Sequence, residues 1–567
     1  MNESKSYGYS LESLEKYDRN ERNKLNSRYL RGTIKPNLTD RITGSVPHDD
    51  ALLLKFHGIY QQDNRENRND RARRKLEPDY QFMVRMRIPG GQLTAAQWQG
   101  LDKLSRDYAE RGLRITTRQT IQLHGVRKPV LADCLKAINR IGLDTIAACG
   151  DDSRGVVCGF NPLLPDVQQI VERLAVQTSQ HLIPKTGAYA ETWYDRTPQE
   201  PTEHEDPLYG PLYLPRKFKV GFVVPPINDI DVFGQDLGFI AITEGQQLRG
   251  FNVCVGGGMG QLDSREDSYP RLAETIGFIP AEEAPEFAGI VMGIQRDYGN
   301  REDRHRARFK YTLDDYSIEW FVKKLEERRG KPLMPARTFS FTHNSDAIGW
   351  QKISDDCWNL TLHITSGRID GTLRDKVLQL INHFNGRIRL TPNQNISLIH
   401  IDAAAREQIL PALRDMNLTP HTEPDNQLAH SLSCVALPTC GLAMAEAERY
   451  LPHFLEKFSA LKSRHGLAHI PITLRITGCP NGCARPYLAE VALTGRAPGL
   501  YNLYLGGSFQ GDRLNQLYAS NLNEDHILQI LDELFQQFSQ EREKNEYFGD
   551  YLIRTGKACQ TLRVLEN

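Results

Sequence analysis

The sequence carries almost no excess of charge of either sign. Its 567 residues contain 70 lysines and arginines against 71 aspartates and glutamates. A chain so nearly neutral has no general attraction for nucleic acid or for an anionic membrane surface, so we expect neither partner. Long apolar runs are also lacking, which leaves no candidate for a membrane-spanning helix. The first residues carry no apolar signal segment, and we therefore expect a cytoplasmic protein.

Glycine-rich motifs for nucleotides are missing as well. The run of three glycines at 256–258 lacks the Lys-Ser/Thr of a phosphate loop, and no Gly-x-Gly-x-x-Gly leads into a clear helix. We therefore expect no nucleotide fold in this chain. The glycines can instead let the backbone approach a flat ligand closely.

Cysteine is scarce, and most of its occurrences are scattered. Ten cysteines in so long a chain do not form a disulfide framework. Four of them nevertheless fall within 50 residues, as Cys434-x5-Cys440 and Cys479-x3-Cys483. The pattern predicts that Cys479 ends a strand, "PITLRIT", before a Pro-Asn-Gly turn. It also predicts that Cys440 opens a helix over "LAMAEAERYL", where the helix dipole favours a thiolate.

Four thiolates from two short loops suit either an iron–sulfur cluster or a zinc ion. Structural zinc sites usually use Cys-x2-Cys pairs, and both spacings here are longer. The spacing therefore favours an iron–sulfur cluster. Two alternatives remain open, a zinc site and four cysteines packed as small apolar residues.

Three segments of the first half alternate cationic and apolar residues. Alternate residues of a strand share a face, which places Arg85 with Arg87 in "FMVRMRIPG" and Lys217 with Lys219 in "PRKFKV". A continuous strand over "LRITTRQTIQLHG" (113–125) would align a further set on one face: Arg114, Thr116, Arg118, Thr120, Gln122 and His124. Each segment alone is typical of a solvated sheet. Three in one half of a neutral protein favour a site for an anion.

Two pairs of similar segments recur in the same order. "LRITTRQTI" (113–121) resembles "IRLTPNQNI" (388–396), and "FNVCVGGG" (251–258) resembles "YNLYLGGS" (501–508). The repeat predicts a multi-domain α+β chain that is internally duplicated, with mixed sheets in a pseudo-twofold arrangement. We expect an N-terminal extension over 1–74 and two copies of a two-part unit, divided as 75–150 with 151–344 and 345–425 with 426–567.

The motifs together resemble a known family. "TGCPNGCARP", Cys-x5-Cys followed by "LAMAEAER", "YLRGTI" (29–34) and "FHGIYQQD" (56–63) are similar to the hemoprotein beta subunits of assimilatory, NADPH-type sulfite reductases. That family belongs to the siroheme-dependent sulfite and nitrite reductases, and the resemblance covers nearly the whole chain. It implies ferredoxin-like repeats at 75–150 and 345–425 and two siroheme-binding domains around a central siroheme. It also implies a 4Fe–4S cluster on Cys434, Cys440, Cys479 and Cys483, with Cys483 bridging to the siroheme iron.

The resemblance also implies roles for the cations. The macrocycle would be bound by Arg114, Arg118, Gln122, Arg216 and Arg308, with Lys310 as an alternative to Arg308. Sulfite would be met by Arg85, Arg154, Lys217 and Lys219. His124 is better explained as a structural histidine than as a proton donor.

The implied activity is the six-electron reduction of sulfite to sulfide, in sulfate assimilation and cysteine biosynthesis. Electrons would come from an NADPH-oxidising flavoprotein subunit in a hetero-oligomer, with the N-terminal region helping to bind that partner. The alternatives are a siroheme nitrite reductase, a ferredoxin-dependent sulfite reductase, and a non-enzymatic protein with a structural cluster.

Overall fold

The computed structural model describes residue 9 and residues 11–262, 265–384, 386–423 and 426–559. Its strands are β1 (Ile59–Asp63), β2 (Tyr80–Arg85), β3 (Gln92–Thr94), β4 (Leu113–Ile115), β5 (Ile121–Val126), β6 (Val157–Cys158), β7 (Val220–Val223), β8 (Leu237–Glu244), β9 (Gln247–Val255), β10 (Glu274–Ile279), β11 (Gly349–Ser354), β12 (Cys357–Leu362), β13 (Arg368–Ile369), β14 (Arg387–Leu390), β15 (Ile396–Asp402), β16 (Ser431–Ser433), β17 (Leu474–Thr477), β18 (Val491–Ala497), β19 (Leu500–Leu505) and β20 (Gln516–Leu522).

The α-helices lie between these strands and at both ends of the described chain. They are α1 (Arg19–Asn26), α2 (Ile34–Thr39), α3 (His48–Leu53), α4 (Arg68–Arg73), α5 (Ala95–Tyr108), α6 (Leu131–Arg140), α7 (Pro165–His181), α8 (Ala188–Trp193), α9 (Ala284–Tyr298), α10 (Phe309–Tyr316), α11 (Ile318–Arg329), α12 (Gly371–Asn382), α13 (Ala403–Asp415), α14 (Thr419–Thr422), α15 (Asn426–Ala429), α16 (Tyr450–Arg464), α17 (Glu524–Glu541) and α18 (Phe548–Arg554). Among the described residues, no helix combines the length and the apolar character needed to span a membrane.

The strands form four five-stranded sheets, two of which exchange a strand. The first sheet has the order β1-β2-β5-β4-β13, and the third has the order β11-β12-β15-β14-β3. Thus β13 of the second half pairs antiparallel with β4 of the first, and β3 of the first half pairs antiparallel with β14 of the second. Each half therefore completes the sheet of the other.

The second and fourth sheets repeat one topology. Their orders are β10-β9-β8-β7-β6 and β16-β17-β18-β19-β20. In each, three strands run parallel and two more follow antiparallel, so β7 corresponds to β17 and β9 to β19. Strands β9 and β19 contain the first five residues of the matched segments at 251–258 and 501–508. The predicted α+β fold with an internal duplication is confirmed.

The predicted continuous strand over residues 113–125 is wrong, because the chain turns back after β4. Thr116 and Gln119 close a tight turn in which Gln119 has a φ of 53°. Strands β4 and β5 then pair antiparallel, with Arg114 directly opposite Gln122. Arg118 is at the turn, so it does not share a strand face with the other two.

The predicted helix after Cys440 is also wrong, because residues 441–449 form turns and the helix begins only at Tyr450. The amides of Met444 and Ala445 both donate to the carbonyl of Gly478, at 2.7 and 3.1 Å. These bonds tie the segment to the loop that carries Cys479. They take up backbone groups that a helix would need for itself, so tertiary contacts override a favourable helix composition.

The segment before residue 75 is more than a solvated extension. Strand β1 forms the edge of the first sheet, and Ile34 and Leu54 are fully buried in the main core. Helix α4, which lies in the charged stretch, does fit the expectation, since none of its residues is buried.

Candidate functional site

The four clustered cysteines follow from the geometry of the fourth sheet. Strands β16 and β17 are parallel neighbours, with Ser433 opposite Ile476. Parallel strands end at the same edge of a sheet, so Cys434 and Cys479, which follow these strands, lie at one edge. Cys483 returns through the Pro-Asn-Gly turn, where Gly482 has a φ of 67°. Cys440 reaches the same region on the loop tied to Gly478.

The four thiols lie close enough to affect one another electrostatically. Burial raises the pKa of Cys434 well above its usual range, and the neighbouring Cys483 raises it further. The same two causes raise the pKa of Cys440 and bring that of Cys479 to about 12. Buried thiols that oppose each other's ionisation become stable as thiolates when they bind a cationic group.

Within the residues described, no three His, Cys, Asp or Glu side chains surround a point as tightly as a single metal ion requires. A four-iron cluster holds its thiolates further apart, because each binds a different iron.

Lys217 and Lys219 lie on the extended segment that leads into β7. Phe218 between them is fully buried, whereas both lysines are half-buried, as the alternation predicts. In the described part of the chain, neither ammonium group donates a hydrogen bond or forms an ion pair. Burial and the neighbouring Arg216 and Lys219 lower the pKa of Lys217 well below its usual range.

The Lys219 ammonium is close to both cations and cysteine. Burial, followed by Arg308 and Arg118, lowers the pKa of Lys219 to about 7, and Cys483 counters this in part. Cys483 is exposed, in contrast to the other three clustered cysteines. Lys219 is therefore near both the cations that repel it and the open cysteine, and an anionic ligand would stabilise its charged form.

Arg118 and Arg308 each retain a buried nitrogen without a partner among the described residues, the guanidinium Nε. Arg118 donates from Nη1 to the Gln235 side chain at 2.9 Å, and Arg308 donates from Nη2 to Asp236 at 3.0 Å. Lys310 is different, since its ammonium donates to the carbonyls of Gly258, Gly260 and Tyr269. Of the two candidates for binding a carboxylate of the macrocycle, Arg308 and Lys310, it is Arg308 that has a donor without a partner among the described residues.

Arg85 and Arg154 are held in place by hydrogen bonds within the first half. Arg85 donates from Nη1 to the Cys149 sulfur at 3.1 Å. With its amide oxygen turned toward Arg85, Gln122 accepts from Nη2 and Nε at 2.5 and 3.1 Å. Arg154 donates from Nη2 to the Gly150 carbonyl at 2.9 Å. The structure thus brings both arginines to one short segment, residues 148–150.

The remaining predicted residues have partners within the protein or open surroundings. Arg114 is buried and forms an ion pair with Glu448 at 2.8 Å. Arg216 lies 3.8 Å from Asp151 and is about a third exposed. Burial, followed by Arg368 and Arg114, lowers the pKa of His124 well below its usual range. This environment favours the neutral form of His124.

Sequence reasoning missed Arg485, which forms several hydrogen bonds between the two halves. It donates from Nε to Asp231 at 2.5 Å and from Nη2 to Asn393 at 2.9 Å. Its Nη1 donates to the carbonyl of Thr117 at 3.2 Å, and the Thr117 hydroxyl donates to the Cys483 carbonyl at 2.9 Å. The backbone of Cys483 is thereby fixed against the turn that carries Arg118.

Asp231 and Arg485 occupy corresponding places in the two copies. Asp231 follows β7 and Arg485 follows β17, which are corresponding strands of the two copies. Both residues have a left-handed backbone, with φ of 50° and 54°. Each also precedes a short 3-10 helix, Val232–Gly234 or Pro486–Leu488. Aligning the two copies of the internal repeat would have identified Asp231 and Arg485 as corresponding residues.

Removing the Asp231 carboxylate is expected to destabilise the whole chain. Asp231 is fully buried and accepts from both Arg475 and Arg485, so Asp231→Ala would leave two buried guanidinium groups without their counter-ion. Breaking such a pair costs about 3–5 kcal/mol. We expect a lower midpoint in thermal unfolding at a fixed scan rate. Asp355→Ala, which removes an almost fully exposed carboxylate, should leave the midpoint unchanged. Equal midpoints for the two variants would show that Asp231 does not hold the halves together.

Comparisons with known proteins identify the family of the chain. The model of the nitrite and sulphite reductase 4Fe-4S domain matches residues 176–333. The model of the nitrite/sulfite reductase ferredoxin-like half domain matches twice, at 73–141 and 351–416. The solved structure of the Mycobacterium tuberculosis NirA protein superposes with a TM-score of 0.73 at 24% identity, covering 94% of each chain, which supports the fold. Fold and site thus define the class, the nitrite and sulfite reductases.

Individual relatives identify the family within this class. The sulfite reductase (NADPH) hemoprotein beta-component of Nitrosomonas europaea is 49% identical over 544 residues, which are 96% of this chain and 95% of that protein. Those of Bordetella petrii and Staphylococcus carnosus are 50% and 48% identical, covering 96% and 94% of this chain and 94% and 95% of theirs. The chain belongs to the family of sulfite reductase (NADPH) hemoprotein beta-components.

Proposed function

We propose that this chain reduces sulfite to sulfide at a siroheme that is coupled through Cys483 to a 4Fe–4S cluster. Cys434, Cys440, Cys479 and Cys483 would hold the cluster. The observation that carries the proposal is the pair Lys217 and Lys219, neither of which has an ion-pair partner among the described residues, with Lys219 near the exposed one of the four clustered cysteines. The names of the relatives support the same reaction.

The residues present fit siroheme. The macrocycle carries an acetate and a propionate on each of its four rings, so a site that encloses it needs several cations. Arg118 and Arg308 offer buried Nε groups that have no partner among the described residues, and Arg216 is partly open. Arg114 and Gln122 would act beside them from the paired strands β4 and β5. When bound, siroheme supplies an iron with an open position for the sulfur of sulfite.

The chain's own residues would then handle charge and protons. Arg85, Arg154, Lys217 and Lys219 would attract the anion and stabilise its charge. Each bisulfite takes up six electrons and six protons and releases three waters, so every departing oxygen needs protons delivered to it. Lysines with lowered pKa values are suited to giving protons up. The Cys149 sulfur and Gln122 would hold the guanidinium of Arg85 in place.

Electrons would come from a separate flavoprotein that oxidises NADPH. The words NADPH and beta-component in the relatives' names support a second subunit. We place this complex in the cytoplasm. In support of this, none of the nine cysteines whose side chains the structure describes forms a disulfide, as is usual in a reducing compartment.

The isolated chain is expected to reduce sulfite with a one-electron dye such as reduced methyl viologen, and to be inactive with NADPH alone. The purified protein should show siroheme absorption bands and about five irons per chain, four in the cluster and one in the macrocycle. Sulfide formation, absorption and iron content would all be measured on one preparation.

Two results would contradict this proposal in different ways. A colourless protein that contains zinc would exclude siroheme chemistry altogether. Turnover with NADPH in the absence of any partner would exclude the separate flavoprotein. Measuring dye-driven nitrite reduction in parallel tests the alternative substrate, and a higher kcat/KM for nitrite than for sulfite would favour a nitrite reductase.

A further inference from the structure

Two large apolar side chains are exposed directly after Cys440. Leu442 is 68% exposed and Met444 is 38% exposed. They belong to residues 441–444, here called the 441–444 loop, which follows one of the four clustered cysteines. Apolar side chains that are both exposed and next to a functional group are typical of a surface that binds a partner.

The exposure of this loop is not a consequence of loose packing. The Arg65 guanidinium donates to the carbonyl of Ala443 at 2.5 Å and to that of Cys440 at 3.2 Å. Glu66 next to it forms an ion pair with Arg449 at 2.7 Å. Together with the bonds from Met444 and Ala445 to Gly478, these contacts hold the loop at both ends and present Leu442 to solvent.

The same contacts place the loop beside a cationic helix. Arg65 lies just before α4, all of whose residues are accessible, and cations continue through Arg74 and Lys75. Over 65–75 the sequence has six lysines and arginines against two acidic residues. In the described part of the chain, Arg73 and Lys75 have no ion-pair partner, and both are exposed. The 441–444 loop is therefore joined, through Arg65, to the start of an accessible cationic segment, which we call its positive border.

We propose that the 441–444 loop and α4 form the docking surface for an acidic, flavin-bearing domain of the electron donor. This inference rests on the proposed function. In each encounter one electron would leave the reduced flavin and enter the cluster beside Cys440, and no covalent bond would form or break. The positive border selects an acidic partner and speeds the encounter, while Leu442 and Met444 supply a small apolar centre. A small contact suits a donor that must bind, deliver one electron and leave six times for each sulfite reduced.

Two variants test the two parts of this surface. Leu442→Ser removes apolar area, and Arg73→Glu combined with Lys75→Glu reverses the charge of the border. The donor is the NADPH-reduced flavoprotein subunit, and reduced methyl viologen replaces it in a parallel assay of the holoenzyme. We expect kcat/KM for the flavoprotein to fall by about 10-fold or more in the charge variant at low salt, with dye-driven sulfite reduction unchanged. The deficit should shrink as ionic strength rises, because salt screens exposed charges.

Matched changes elsewhere serve as controls. Leu163→Ser alters an apolar residue that is 70% exposed before α7, and Lys323→Glu reverses an exposed charge on α11. Neither should alter donor-driven rates. A readout independent of turnover is zero-length cross-linking of amines to carboxylates, which should join Lys75 to an acidic peptide of the flavin domain.

The outcomes separate this inference from the proposed function. Unchanged donor-driven rates in both surface variants, with cross-links located only elsewhere, would overturn the docking surface while leaving sulfite reduction intact. Absence of dye-driven sulfite reduction in the wild-type protein would instead overturn the proposed function. Loss of dye-driven activity in the surface variants would show that they disturb the cluster itself, which also contradicts a docking role.

Discussion

Replacing Cys479 by alanine is expected to abolish assembly of the 4Fe–4S cluster. Cys479 follows β17 at the edge where Cys434 follows β16, and each thiolate would be the only protein ligand of one iron. Without it, one iron lacks its ligand, and no other cysteine lies on this strand or its turn except Cys483, which would already be bound. Iron and acid-labile sulfide per chain, measured with visible absorption, should fall to the level of protein without the cluster. Cys434→Ala and Cys440→Ala should give the same result.

The matched control is Cys134→Ala. Cys134 is fully buried in α6, and burial alone raises its pKa to about 12, so no neighbouring thiol acts on it. Its replacement should preserve the metal content, and far-UV circular dichroism would show that both variants remain folded. A Cys479→Ala protein with its full iron and sulfide content would remove Cys479 from the proposed ligand set.

The sequence was most informative where the chemistry depends on spacing. The four cysteines could be grouped from their intervals because two of them follow adjacent parallel strands and the other two return through short loops. The alternation around Phe218 identified Lys217 and Lys219 correctly as residues of one face, because an extended segment next to a buried strand leaves few other arrangements.

The turn between β4 and β5 could not be predicted from its own sequence. "TTRQT" contains no glycine, proline or asparagine, and Gln119 adopts a left-handed backbone that glutamine rarely takes. The corresponding "TPNQN" of the second copy does contain Pro392 and Asn393, and Gln394 there has the same backbone, with a φ of 71°. Comparing the two copies would have revealed the turn.

Contacts between distant segments account for the other errors. Helix formers after Cys440 are overridden by bonds to Gly478, which is more than thirty residues away in the sequence. The sequence likewise does not show that Glu448 lies against Arg114, an ion pair that leaves the proposed role of Arg114 toward the macrocycle as a prediction. Local patterns do not contain such pairings, which arise only once the sheets have packed.

Duplication explains why the two halves are both similar and different. Corresponding positions became Asp231 in one copy and Arg485 in the other, and they now form an ion pair between the halves. At the next equivalent pair, Lys219 donates from its amide to Asp236, and Thr473 donates from its amide to Glu490. The backbone arrangement is therefore shared, while the lysine is present only on the side that faces Cys483. Under the proposed function, one copy would have specialised in binding an anion and the other in binding a metal.

Lys217→Met and Lys219→Met are each expected to slow sulfite reduction by roughly 100-fold or more, the scale of a lost general acid. Methionine keeps the length and the apolar stem of lysine but removes the ammonium group. Neither ammonium has an ion-pair partner among the described residues, so its loss leaves no buried carboxylate uncompensated, and the fold should be retained. The siroheme absorption bands should also be retained, because Arg118 and Arg308 would still bind the macrocycle.

Rates and spectra of the two variants distinguish three roles for these lysines. Slow turnover with normal siroheme absorption would support a role toward sulfite. Loss of siroheme would instead mean that the lysines bind carboxylates of the macrocycle, and turnover at the wild-type rate would mean that they only line a solvated strand. Lys323→Met on the exposed face of α11 controls for the loss of one positive charge and should be as active as the wild type. The prediction is specific because Lys217 and Lys219 flank the buried Phe218 on one extended segment, and Lys219 is near enough to Cys483 for that thiol to affect its pKa.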